Sequence, residues 1–305
     1  MENWQEICPN MTEEQHELLV QIQRKSLDLL KVFDAFCREH GLLYYLCGGC
    51  CIGAVRHRGF IPWDDDVDVM MPRPDYERLS ALWPEKMDQS KYRYNRSSRR
   101  EFIRAMIDSV SDEDTTFIKY RQADLDISHG IRLEIIPLDG CPDSKTKRKE
   151  QILWALTRQL YIDRVPVLSK GRLVKGASRL LLAAHPTWAS CWRAAERAEH
   201  RMTKYPFASS DRVTELCTRY KYMRNEYPRE LFDSAVYLPF EDMEAPVPVG
   251  YDAYLRMAFG DYMQLPPPEE RVPKHETVFA DPTRSYREYK GEYYPVQVKL
   301  DTLEH

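Results

Sequence analysis

The stretch that most constrains this chain is GGCCIGAVRHRGFIPWDDDVDVMMPRPDYERL, residues 48–79. It opens on a glycine pair and runs into carboxylates that alternate with valines. Ahead of it, residues 42–47 (LLYYLC) form a short apolar and aromatic run between Gly41 and Gly48, the pattern of a buried strand. Gly48-Gly49 allows a sharp turn and a close approach of backbone to ligand. Residues 50–58 contain few breakers and predict a helix whose first amides face that turn, a favourable place for phosphate. After the turn-forming Gly59-Phe60-Ile61-Pro62, residues 63–70 predict a strand. On it, Asp64, Asp66 and Asp68 share one face, while Asp65, Val67 and Val69 share the other.

Neighbouring carboxylates on one face repel unless a cation lies between them. Magnesium, held by one or two carboxylates and the phosphates of a substrate, commonly supplies it. An isolated acidic run is more often a solvated loop, but here alternation with valine and the upstream glycine turn favour a metal. A third acid has the right setting: residues 130–140 (GIRLEIIPLDG) predict a strand with Glu134 embedded among Leu133, Ile135 and Ile136. A carboxylate there is costly unless paired or bound to a cation, so Asp66, Asp68 and Glu134 are the candidate metal ligands. Asp139, beyond Pro137, either supports these acids or caps a turn.

The bulk of the 305-residue chain fits one large domain or two modest ones. Apolar residues make up 43%, charged residues 30%, and the net charge is −4, which gives no reason to expect nucleic acid as a partner. No leader pattern opens the chain and no apolar run approaches bilayer length. The eight cysteines show no metal or disulfide spacing. A cytoplasmic protein with free thiols is expected.

Thr12-Glu13-Glu14-Gln15 is a capping-box signature, and the apolar spacing from Leu18 to Phe36 carries a helix to Gly41. A short helix is predicted over 75–83, then strands over 91–96, 102–110 and 115–120. Residues 145–204 turn to helix formers and basic side chains. One helix starts at Lys145, a second covers 171–185 with Arg172, Lys175 and Arg179 against Leu180, Leu181 and Leu182, and a third covers 187–204. The second is read as a solvated face over a core, with weak peripheral contact to a membrane's inner face as the lesser option. Residues 251–259 predict a helix stopped by Gly260, and the tail from Asp281 is expected to drape over the surface.

Gly-Gly, a helix and Asp-hydrophobic-Asp-hydrophobic resemble the nucleotidyltransferase fold of the polymerase-beta kind. More narrowly, GAVRHRGFIPWDDDVDV followed by Arg73-Pro74-Asp75-Tyr76 resembles the LicD family, almost collinearly over some thirty positions. Phe240-Glu241, Ala245-Pro246-Val247-Pro248 and the run from Tyr251 to Pro267 resemble its closing motif. The chain departs from the family at Cys50-Cys51, where Thr-Leu is usual and a thiol, a weaker donor, replaces a hydroxyl. The resemblance implies an α+β protein with a mixed sheet flanked by helices. It would comprise a nucleotidyltransferase-like core over 1–140, a helical region over 141–235 and a closing segment over 236–302 packed on the core; the final Leu303-Glu304-His305 reads separately, from its own residues, as the start of a purification tag over 303–305.

It further implies a magnesium- or manganese-dependent transferase. A CDP-alcohol, CDP-choline first, would donate its phosphoalcohol to a hydroxyl of a cell-surface glycan or glycolipid precursor such as teichoic acid or lipopolysaccharide, releasing CMP. Asp66, Asp68 and Glu134 would hold the metal, while Gly48, Gly49 and Cys50 bind phosphate. Arg56 or Arg58 would neutralise the leaving group. His57 either binds phosphate, shuttles a proton or fixes its loop. Trp63 and Asp64 are further candidate substrate contacts, and Trp63 with Tyr251, Tyr254 and Tyr262 could contribute to an aromatic box for a quaternary ammonium, although with 19 tyrosines packing is the better account of each one taken singly. His275 lies where the family often has a histidine. CDP-ribitol or CDP-ethanolamine as donor, nucleotidyl transfer from a nucleoside triphosphate, and an inactive binding scaffold remain open alternatives.

Overall fold

The computed structural model describes residues 4–166, 171–273 and 275–297; the tag-like residues 303–305 lie outside them. Helices α1 (Trp4–Ile7) and α2 (Glu13–Glu39) precede β1 (Tyr45–Leu46), α3 (Gly48–Arg56), β2 (Val67–Pro72), α4 (Arg73–Lys86), β3 (Tyr92–Asn95), β4 (Asp108–Asp112), β5 (Thr116–Lys119) and β6 (Ile131–Gly140). Helices α5 (Lys145–Asp163), α6 (Gly171–Ala183) and α7 (Trp188–Met202) follow. The chain then returns through β7 (Arg212–Glu215), α8 (Tyr220–Met223), β8 (Tyr227–Pro228), β9 (Ala235–Phe240), β10 (Met243–Pro248), α9 (Tyr251–Phe259) and β11 (Thr277–Asp281). The fold is α+β.

The main sheet runs β1-β2-β6-β4-β3, with β7 joining β6 and β8 joining β7. It is mixed: β2 and β6 are parallel, and the remaining pairs are antiparallel. Strand β6 is the spine, taking β4 along residues 131–135 and β7 along 138–140. Its residues are almost all buried, as expected of a strand covered on both faces. The region between 141 and 235 is therefore not only helical, because β7 and β8 belong to the core sheet.

Helix α2 begins as its sequence demands. Thr12 accepts from the Gln15 amide and the Gln15 side chain accepts from the Thr12 amide, a reciprocal cap whose loss typically costs ~1 kcal/mol. Its apolar stripe, Leu19, Ile22, Leu29, Leu30, Phe33 and Phe36, is buried in the core. Helix α9 ends at Gly260, whose φ of +75° suits glycine.

Four expectations need correction. The strand predicted over 63–70 starts only at Val67, because Asp64 to Asp66 lie in the approach loop; the alternation of burial nevertheless runs through both, with residues 65, 67 and 69 buried and 64, 66 and 68 half-buried. The strand predicted over 102–110 shrinks to β4, since residues 101–107 make no ladder. The tail does not drape: Tyr286 and Tyr294 are buried with Ile118 and Ala123, and Tyr286 donates to the fully buried Glu113. Helix α6 does not turn its leucines inward: Ser178 is its one buried residue. Helices α5 and α7 already cover each other, and α6 adds an outer layer that touches them chiefly through Leu182.

Candidate active site

The parallel pairing of β2 with β6 sets Asp68 directly opposite Glu134, so two of the three predicted ligands are brought together by register. Asp66 stands one residue before the strand, on the same side. Asp66 and Asp68 both feel the charge of Glu134. Burial, then Asp66 and Glu134, pushes the Asp68 carboxyl well above its usual range. Burial also raises Asp66, against the pull of His275 and Lys119. For Glu134 burial is outweighed: Lys119 beside it, with His275 and Arg132, holds it down at about 2.

Helix α3 delivers the glycines to these acids. Gly48 has φ +52°, and a Cβ on it would lie 3.9 Å from Asp68 Oδ2. A Cβ on Gly49 would collide with Asp64 Oδ2 at 2.2 Å, so the close approach requires glycine. The helix starts at Gly48 itself, two residues earlier than the sequence suggests, and no side chain caps its N-cap residue Cys47. Its positive end therefore faces the carboxylates. One amide is engaged: Gly48 N–H donates to the Tyr254 hydroxyl at 3.2 Å.

Cys50 does not face outward as a phosphate contact. Its buried sulfur accepts from the Asp68 amide at 3.4 Å and lies 3.6 Å from the Asp66 carbonyl, to which it donates. The thiol thus ties the helix to the backbone that carries the acids. Gln23 of α2 fixes the approach loop from the other side, donating to the carbonyls of Ile61 and Asp64.

Two participants were not assigned from sequence. Lys119, read only as part of a strand, reaches Glu134 Oε1 at 2.5 Å. Asp65, expected on the opposite face, is buried and accepts from His275 Nδ1 at 2.8 Å, while His275 Nε2 lies 3.5 Å from Asp66 Oδ2. Ligand atoms of Asp65, Asp66 and His275 all fall within 4.8 Å of one another. Burial and Lys119 push the His275 imidazole down, but Asp65 and Asp66 prevail and its pKa is raised. The pairing of β11 with β5, Thr277 opposite Lys119, brings His275 and Lys119 to one place.

The remaining predicted contacts are turned elsewhere. Arg56, at the far end of α3, donates to the carbonyls of Tyr262 and Gln264 and to His57 Nε2. The backbone of Arg58 takes φ +59° and its carbonyl accepts the Glu241 amide, with the side chain in solvent. The His57 and Trp63 rings meet at 6.4 Å. Trp63, Tyr254 and Tyr262 are buried, and Tyr262 donates to Asp252, so these rings pack rather than form an open box. Asp139 neither supports the acids nor caps a turn: Arg73 grips it bidentately.

Beside Asp65 opens a cavity of about 350 Å³ lined by Asp65, Leu18, Leu19, Ile22, Phe117 and Val272, among others. A divalent cation suits the chemistry of this cluster. Asp68 Oδ1 is shut off from solvent and no hydrogen-bond donor among the described residues reaches it, an expensive state for a carboxylate that a cation relieves.

Comparison with known proteins finds similarity over the segment that carries these residues. Residues 41–127 match the model described as LicD/FKTN/FKRP, nucleotidyltransferase domain. The lipopolysaccharide cholinephosphotransferase LicD of Haemophilus influenzae is 26% identical over 263 residues, covering 82% of this chain and 92% of that protein. An uncharacterised Rickettsia prowazekii protein, RP689, is 33% identical over 57 residues, 19% of this chain and 21% of its own. The glycine turn and the aspartate ladder both lie inside the segment that matches this nucleotidyltransferase-domain model, and the Haemophilus protein extends the similarity along most of the chain.

Proposed function

We propose that this protein transfers a phosphoalcohol group, phosphocholine in the first instance, from a CDP-alcohol to a hydroxyl of a glycan or glycolipid, releasing CMP. The observation that carries the reading is the register that sets Asp68 opposite Glu134, with Asp66 close enough for its charge to act on Asp68, and one buried Asp68 oxygen without a donor among the described residues. The relative that aligns along most of the chain bears the name of a lipopolysaccharide cholinephosphotransferase, which favours choline and a lipid-linked sugar.

In this proposal Asp66, Asp68 and Glu134 hold magnesium or manganese. Such an ion polarises phosphoryl oxygens and lowers the pKa of a bound hydroxyl. The positive end of α3 and its glycine backbone receive the donor's phosphates. Lys119 fixes Glu134 and adds a positive charge where the leaving phosphate gathers negative charge. His275, spanning Asp65 and Asp66, holds Asp66 in its orientation, and Cys50 holds the backbone between Asp66 and Asp68. The cavity beside Asp65, whose wall mixes apolar and polar side chains with one acid and Phe117, gives an alkylammonium head group room that the buried tyrosines do not.

The test is CMP release from CDP-choline with an acceptor glycolipid, with magnesium and with EDTA. Magnesium-dependent CMP supports the reading. Pyrophosphate release from a nucleoside triphosphate instead would move the reaction to nucleotidyl transfer, and metal-independent or absent turnover of every donor would overturn it.

A further inference from the structure

Helix α6 carries two sequence patterns at once. Leu173, Val174, Ala177, Leu180 and Leu181 recur along one face, while Arg172, Lys175 and Arg179 lie along another. In a globular protein the apolar face of such a helix is buried. Here Leu173 is 90% exposed, Leu180 74%, Leu181 45% and Val174 44%. What α6 buries is Ser178, with Leu182 packed against Tyr161, Ile162, Cys191 and Ala195. The helix therefore lies on the protein by a narrow third side and presents its leucines to the outside.

Charge indicates what covers that face. The chain as a whole is acidic, with 48 Asp and Glu against 44 Lys and Arg. Yet between Asp163 and Glu196 no acidic residue occurs, while Arg164, Lys170, Arg172, Lys175, Arg179 and Arg193 all fall in that interval. An apolar ridge inside an acid-free, cationic interval matches the surface of an anionic bilayer, where leucines enter the headgroup boundary and cations meet lipid phosphates. A face built to pair with a second copy of this acidic chain has no reason to exclude acids over such a length.

We infer that α6 is a docking helix by which this protein lies on an anionic membrane. The inference stands apart from the chemistry proposed above, since it uses none of the carboxylates. It does bring a transferase to the surface where lipid-linked sugars are found.

The experiment is co-sedimentation of the full chain with phosphatidylcholine vesicles and with vesicles carrying one-third phosphatidylglycerol, alongside light scattering of the free protein. Wild-type protein is expected to bind the anionic vesicles and to be left behind by the neutral ones. Leu173→Asp with Leu180→Asp should reduce binding at least tenfold while its melting temperature matches wild type, because both side chains are in solvent. Arg172→Glu with Lys175→Glu and Arg179→Glu should weaken anionic binding by roughly fivefold or more per cation. Absence of vesicle binding by the wild type, or binding that the leucine variant retains, overturns the inference. A dimer that the leucine variant dissociates, with no vesicle binding, would assign the face to a second copy instead.

Discussion

The two ends of the β2–β6 pair use buried charge in opposite ways. At the end of both strands, Arg73 donates to both oxygens of Asp139 at 2.8 and 2.7 Å, and Arg73 and Arg158 both face Glu199, at 3.6 and 3.3 Å. Asp139 and Glu199 there each have a cation. Where β2 begins, Asp66, Asp68 and Glu134 face Lys119, with His275 at the margin, and Asp68 Oδ1 has no donor among the described residues. Closed charge holds a structure together, whereas open charge stores a binding capacity. The same strands, and the same residue types, serve both ends; the difference lies in the count of cations within reach.

This contrast can be broken by mutation, and the largest effect belongs to the closed end. Asp139→Ala leaves Arg73 buried without its bidentate partner and is expected to cost about 3–5 kcal/mol of stability, read by urea denaturation. If that variant is as stable as wild type, the closed end is not structural. Glu215, on β7, is an intermediate case: a buried acid bonded to the Tyr227 hydroxyl, its carboxyl pushed up to about 7 by burial. Because its folded pKa is raised, its neutral form stabilises the fold below the unfolded value, and that stability drains away as pH rises through about 7. Glu215→Gln should therefore be about 3 kcal/mol more stable than wild type at pH 8 and equal to it near pH 4.5; melting curves across that range decide.

At the open end the effects fall on activity. Asp68→Asn removes a carboxylate proposed to hold the metal and is expected to lower CMP release by more than ~10²-fold, while the melting temperature holds or rises because repulsion among the acids is relieved. A variant that unfolds and loses activity together would make the two ends alike. The smallest effect is at Cys50→Ala, where losing the thiol's bonds to the Asp66–Asp68 backbone should slow turnover by about fivefold, roughly 1 kcal/mol, with substrate affinity changed less than turnover.

Much of this arrangement is local and hence legible from residue order. The Thr12 cap, the Gly48-Gly49 turn, the alternation from Asp64 to Val69, the lone Glu134 in an apolar strand and the stop at Gly260 are each set by neighbours a few positions away. Chain order also carried the family resemblance. The boundaries shifted where tertiary contacts compete: α3 absorbs both glycines, and Asp64 to Asp66 stay outside β2 in a loop whose Ile61 and Asp64 carbonyls are taken by Gln23, far upstream.

What the tertiary structure alone decided is which distant residues share the site and which faces stay open. Lys119 and His275 are 156 positions apart in the sequence, and only the β5–β11 ladder sets them together. Tyr254 reads as a cage residue until packing turns its hydroxyl to the Gly48 amide. The leucines of α6 read as core until α5 and α7 bury one another and leave them outside. Periodicity reports the pattern of a helix or strand, but the partner that covers each face is chosen by chain segments whose separation in sequence carries no signal.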